Sequence, residues 1–192
     1  MGRSKLTLDL GGRTFLERAM LAAADGPGIG RCLVVVRPED ARLVEEALPL
    51  LPSTGPASKV ETVLNPHAAD GQSASVRLAA ARLLEDATCE AAIFVVVDQP
   101  FLDRHVFEIL VEAWTSGRGE ILISTYDGQR GNPVLFARRF FGELVQLTGD
   151  VGGRGVVLGH PDAVGEVAMP DPRAGRDVDT WEDYIAAGGT PT

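Results

Sequence analysis

Short apolar runs rich in β-branched residues alternate along this chain with longer stretches whose apolar positions recur every three or four residues. "CLVVVR" (32–37), "KVETVL" (59–64), "AAIFVVVD" (91–98) and "EILIST" (120–125) predict strands, and "PVLFA" (133–137) and "GEVAM" (165–169) predict weaker ones. Helical spacing predicts helices near 14–24, 39–48, 74–86, 103–116 and 138–147. "RPEDARLVEEAL" places acidic residues in a first turn, and "SASVRLAAARLLED" has a serine able to cap it. This alternation is the signature of an α/β fold: a Rossmann-like, mostly parallel sheet with flanking helices. "IFVVVD" is apolar throughout, which predicts a central strand covered on both faces. The Pro- and Gly-bearing stretch "LPLLPSTGPASK" (48–59) reads as a surface loop and no internal repeat is present, so the expectation is one domain over 1–192.

Composition then narrows the partners. A chain of 192 residues that is 45% hydrophobic can bury one substantial core. Its net charge of -9 argues against nucleic acid and anionic membranes, which need a basic footprint. Such a protein would handle phosphates locally, through a metal ion or a few placed cations. Cys32 and Cys89 lie in or beside apolar segments without metal-ligand spacing, and read as inert thiols in a reducing compartment. No apolar run approaches the roughly 20 residues of a membrane span and no signal-type core follows Met1, so the expectation is a cytoplasmic protein.

Four stretches offer chemistry. In "VVVDQP" (95–100), Asp98 ends the most apolar strand, and ligands of open parallel sheets gather outside the carboxyl ends of the strands. Asp98 is thus a candidate magnesium ligand; the alternative, capping the helix near 103, suits Asp103 better. "DVDTWEDY" (177–184) puts Asp177 and Asp179 on one side of an extended segment before a helix start at Thr180. A carboxylate there could complete a site with Asp98, although such a tail alone is ordinarily a solvated helix start. "NPHAADGQSASVRLAAARL" (65–83) runs a glycine loop into a helix, where Gly71 and Ser75 suit close approach to a sugar or phosphate, or simply cap the helix. In 128–161, "GDVGGRG" holds Asp150 and Arg154 in one loop, and Arg154 suits a substrate phosphate as well as it suits an Asp–Arg contact.

Taken in order, "GRSKLTLDLGGRTFLERA", "NPHAADGQSASVRLAAA", "VVVDQPFL", "GNPVLFARRFFGELVQLTGDVGGRGVV" and "DVDTWEDY" resemble the MobA-like nucleotidyltransferases, most closely the molybdenum cofactor cytidylyltransferase branch. The resemblance implies the nucleotide-diphospho-sugar transferase type of fold. It also implies transfer of CMP from CTP to a molybdopterin-type acceptor, with magnesium as cofactor and a molybdenum hydroxylase as a possible recipient of the product. On these residues it implies that Lys5 pairs with triphosphate oxygens, that Asp98 and Asp179 hold magnesium, and that Gly71 and Ser75 lie along the nucleotide. The 131–154 region, with Asn132, Asp150 and Arg154, would face the pterin.

Two departures stand out. Trp181 occupies a position that is usually proline in the family. Family members also open with a strand and a glycine-rich loop ahead of the segment that here reads "MGRSK", so the expectation is a sheet lacking its first central strand and a chain with little or no transferase activity. Two other readings stay open: a non-catalytic molybdopterin-binding relative, and a nucleotidyltransferase for another phosphorylated acceptor such as a sugar phosphate.

Overall fold

The computed structural model describes residues 4–51, 60–149 and 152–190. Strand β1 (Cys32–Val36) pairs in parallel with β2 (Val60–Leu64), in register from Cys32–Val60 to Val36–Leu64. A second sheet contains β3 (Ala91–Phe94), β4 (Ile121–Tyr126), β5 (Gln129–Ala137) and β6 (Val164–Ala168), in the order β3-β5-β4-β6. β5 runs antiparallel to both β3 and β4, while β6 is parallel to β4, so β3, β4 and β6 point one way and β5 alone is reversed.

The helices form where the local chemistry directs. Helix α1 (Phe15–Ala24) opens on a reciprocal cap: Thr14 Oγ1 accepts from the Glu17 amide, and the Glu17 carboxylate accepts from the Thr14 amide. Pro38 starts a 3-10 turn, so α2 begins only at Ala41 and runs to Ala47. Helix α3 (Gln72–Leu84) starts at Gly71, whose φ of 95° favours glycine. Asp103 caps α4 (Arg104–Thr115) by accepting from the His105 and Val106 amides. The helix expected over 138–147 is divided into a 3-10 turn at Arg138–Phe140 and a short α5 (Phe141–Val145). Two further short helices, α6 (Arg154–Gly159) and α7 (Trp181–Ala186), follow.

Strand β4 shows how the core is layered. Ile121 and Ile123 project into a cluster with Ala80 of α3, Phe136 of β5 and Phe141 and Leu144 of α5. Leu122 projects the opposite way, onto Val106, Leu110 and Ala113 of α4. A third cluster joins Leu16 and Met20 of α1 to Val36 and to Val44 and Ala47 of α2.

The reading of "IFVVVD" as a central strand with both faces covered needs correction. Its strand pairing ends at Phe94, β3 is a flank of the four-stranded sheet, and its residues are half-buried. Among the described residues, β3 has a bonded neighbour on one edge, β5, and β1 has one, β2. The segment "LTLDL" does not bridge them: Lys5–Thr7 form a 3-10 turn, and beyond it only an isolated bridge joins Asp9 to Thr14. The proline-rich stretch 48–59 begins with a 3-10 turn at Leu48–Leu50, and its remainder from residue 52 lies outside the described residues.

Candidate active site

Beyond Phe94 the chain continues as Val95–Asp98, where it meets the segment entering α7. The Val178 amide donates to the Asp98 carbonyl at 2.9 Å, as a strand neighbour would. Gln99, buried, donates through Nε2 to the Gly175 carbonyl at 3.2 Å and to Asp177 Oδ1 at 2.9 Å. Its Oε1 is buried without a partner. These bonds fasten 175–178 against 98–99 and thereby set Asp179 beside Asp98.

A third segment arrives from the N-terminal side. Leu6 packs against the α1–α2 cluster, and Leu8 is buried with Phe15, Val178 and Tyr184. Tyr184 further ties the two ends by donating to the Asp9 carbonyl. With its backbone so anchored, Lys5 extends Nζ to Asp98 Oδ2 at 3.1 Å and to the Asp179 carboxylate. Asp98 is 28% exposed and Asp179 65%, so the cluster opens on solvent at the Asp179 side. The Asp179 amide is held in turn by Asp183, which also accepts from Thr180 in the cap of α7.

The electrostatics follow from this crowding. Partial burial pulls the Lys5 ammonium towards neutrality, but the hydrogen bonds to Asp179 and Asp98 and their charges outweigh it, and its pKa lies above the ordinary lysine value. Asp177 is raised above the usual carboxylate range by desolvation and by the charges of Asp98 and Asp179; the Gln99 hydrogen bond and Lys5 oppose this. Three carboxylates around one ammonium leave the cluster with a net negative charge.

The other described residues singled out by sequence lie at α3, β5 and α6. Ser75 Oγ accepts from Asn65 Nδ2 at 3.0 Å, and Asn65 is itself buried, with Oδ1 accepting from the His67 amide. Gly71 opens α3, whose Gln72 lies against Gly152: a Cβ on Gly152 would come within 2.8 Å of Gln72 Oε1. The start of α3 and the glycine-rich loop are therefore neighbours. Arg154 is exposed at the start of α6 and makes no ion pair with a described residue. Asp150 lies outside the described residues. Asn132 sits in a bulge of β5, where its carbonyl accepts from the Tyr126 hydroxyl at 2.7 Å. No hydrogen bond given by the structure joins Gly71, Ser75, Asn132 or Arg154 to the Lys5–Asp98–Asp179 cluster.

Sequence reading missed Gln99 and Asn65. Gln99 stood beside Asp98 in "VVVDQP", and an amide placed between an apolar strand and a proline was the available signal. Asn65 likewise follows a strand and precedes Pro66, where an asparagine side chain bonds local backbone.

The chain thus combines an α/β fold with two carboxylates gathered on the Lys5 ammonium beyond the carboxyl end of β3. A sequence profile for the MobA-like NTP transferase domain matches residues 1–164, and the chain belongs to that family. The match includes Lys5 and Asp98 and stops short of Asp179. Among solved structures, Rv0371c from Mycobacterium tuberculosis H37Rv, crystallised in complex with manganese, is 26% identical with a TM-score of 0.72, over 97% of this chain and 92% of that one. The 4-diphosphocytidyl-2C-methyl-D-erythritol synthase of Anaerococcus prevotii shares the fold at 15% identity and a TM-score of 0.70, covering 93% of this chain and 86% of that one. So does molybdopterin-guanine dinucleotide biosynthesis protein A from Archaeoglobus fulgidus, at 16% identity and a TM-score of 0.64, over 97% of this chain and 89% of that one. No curated protein matches the chain in sequence. Among the described residues no helix is long and apolar enough to cross a membrane.

Proposed function

We propose that this nucleotidyltransferase moves CMP from CTP to a molybdopterin-type acceptor and releases pyrophosphate. The observation that carries the catalytic part is the convergence of Asp98 and Asp179 on one cation, outside the end of β3. No group of three or more His, Cys, Asp or Glu side chains fit to hold a metal occurs among the described residues. Two hard carboxylates nevertheless suit magnesium, which keeps waters and takes its other ligands from substrate phosphates. When bound, the ion would neutralise charge on the triphosphate.

In this reading Asp98 and Asp179 hold the ion, and Gln99 keeps their two segments together. Lys5, on its flexible stem beside them, reaches triphosphate oxygens. Gly71 and Ser75 lie along the nucleotide, and Asn132 and Arg154, with Asp150, face the acceptor. An oxygen of the acceptor's phosphate attacks the α-phosphorus in line, and the bond from that phosphorus to the pyrophosphate oxygen breaks. No protein nucleophile is required, and burial pushes the Cys32 thiol up to about 11, away from that role. The choice of CTP and pterin rests on the motif resemblance. The manganese in Rv0371c supports a divalent ion in this fold.

The test is the product itself. Incubation with CTP, magnesium and molybdenum-loaded pterin should give the cytidine–pterin dinucleotide by mass spectrometry, and Asp98→Asn should lower its formation at least about 100-fold without loss of fold. Product formed equally by Asp98→Asn removes Asp98 from the site. Product formed only with GTP, or only with a sugar phosphate, overturns the substrate assignment.

A further inference from the structure

Lys5 does not lie idle beside the two carboxylates: it occupies the wedge between them. Nζ is 3.1 Å from Asp98 Oδ2 and bonds Asp179 as well, so the oxygens that would ligate a divalent ion already hold an ammonium. A magnesium ion needs oxygens at about 2.0–2.1 Å, and two cations cannot share that space at close range.

The residue type matters. Lys5 and Lys59 are the only lysines in the sequence, and the other basic residues among its 18 are arginines. The remaining ion pairs among the described residues are made by Arg or His, such as Arg82 with Glu61 and Arg130 with Glu166. A guanidinium would clamp carboxylates through its rigid fork, whereas an ammonium is a compact point charge on a flexible stem. The Lys5 backbone is anchored by the Leu8 amide donating to its carbonyl and by the packing of Leu6 and Leu8, so the ammonium can swing while its attachment stays fixed.

We propose that Lys5 is a resident counter-cation, holding Asp98 and Asp179 together until a divalent ion displaces it, and that metal affinity is set by this competition. The proposal rests on the metal reading given above. It makes the empty site pre-assembled and ion binding an exchange, with the released ammonium left within reach of the phosphates that accompany the ion.

Manganese alone, titrated calorimetrically into wild type and variants, separates the two ideas. Lys5→Met should bind manganese at least about tenfold more tightly than wild type, since an uncharged side chain of similar length vacates the carboxylates. Lys5→Arg should bind it more weakly, and thermal melts should show both variants folded. Equal or weaker binding by folded Lys5→Met, with wild-type binding still dependent on Asp98, overturns the displacement and spares the metal site. Manganese binding that is insensitive to Asp98→Asn overturns both. If Lys5→Met does not fold, lysine-selective Cε labelling of wild type decides, because there are only two lysine signals to follow. The Lys5 signal, identified as the one that remains in Lys59→Arg, should move on adding magnesium alone. A Lys5 signal unmoved at saturating magnesium overturns the proposal.

Discussion

Strands β1 and β4 are both short, apolar and flanked by helices, yet their environments differ. Every residue of β4 is buried, while in β1 only Val36 is. The sequences suggest the reverse, since "CLVVV" is wholly apolar and "ILISTY" carries Ser124, Thr125 and Tyr126. What buries a strand is the company on its edges and faces. β4 has β5 on one edge, β6 on the other and helices on both faces; among the described residues β1 has only β2 as a bonded neighbour. The polar residues of β4 are tolerated because the β5 bulge supplies acceptors: Ser124 Oγ donates to the Pro133 carbonyl at 2.7 Å and Tyr126 to that of Asn132.

Substitutions can widen or close that gap. Phe136→Ala, which empties a buried ring position stacked edge-on against Phe94, should cost about 3–5 kcal/mol in urea unfolding. Labelling at Cys32 probes the other sheet. Desolvation pushes its thiol up to about 11, so the reactive thiolate is scarcer at pH 8 than in the unfolded chain. Iodoacetamide should therefore modify the native chain correspondingly slowly, and fast labelling would mean that β1 opens readily. Ser124→Ala should cost about 1–3 kcal/mol, because it leaves the Pro133 carbonyl buried without its donor. Val34→Ala on half-buried β1 should cost only about 1 kcal/mol, from two methyl groups at roughly 0.8 kcal/mol each for full burial. If Val34→Ala proved as damaging as Phe136→Ala, the contrast between the sheets would fail.

The elements were legible where periodicity and capping agreed. The helix expected near 14–24 and the one that Asp103 caps both start within a residue of their expected places, and five strands fall on or within two residues of their predicted starts. The exception is β5, which begins at Gln129, because "QRGN" pairs through its backbone and bears no apolar signature. Pairing was less legible. Nothing local in "AAIFVVVD" reveals that its ladder stops at Phe94, since that depends on which strands lie alongside. In the candidate site, residue type and position single out Asp98, while the choice of Asp179 over Asp177 comes only from the family resemblance. Their meeting on Lys5 is a long-range fact, set by Val178 bonding Asp98 and by Gln99 reaching Gly175 and Asp177.

Nucleotide transfer by this chain therefore depends on whether those two carboxylates serve a bound metal–nucleotide. Calorimetric titration of CTP with and without magnesium measures this directly. CTP should bind wild type only when magnesium is present, and Asp98→Asn and Asp179→Asn should each weaken that binding at least about tenfold. Binding of CTP that is indifferent to magnesium and unchanged in both variants would contradict it.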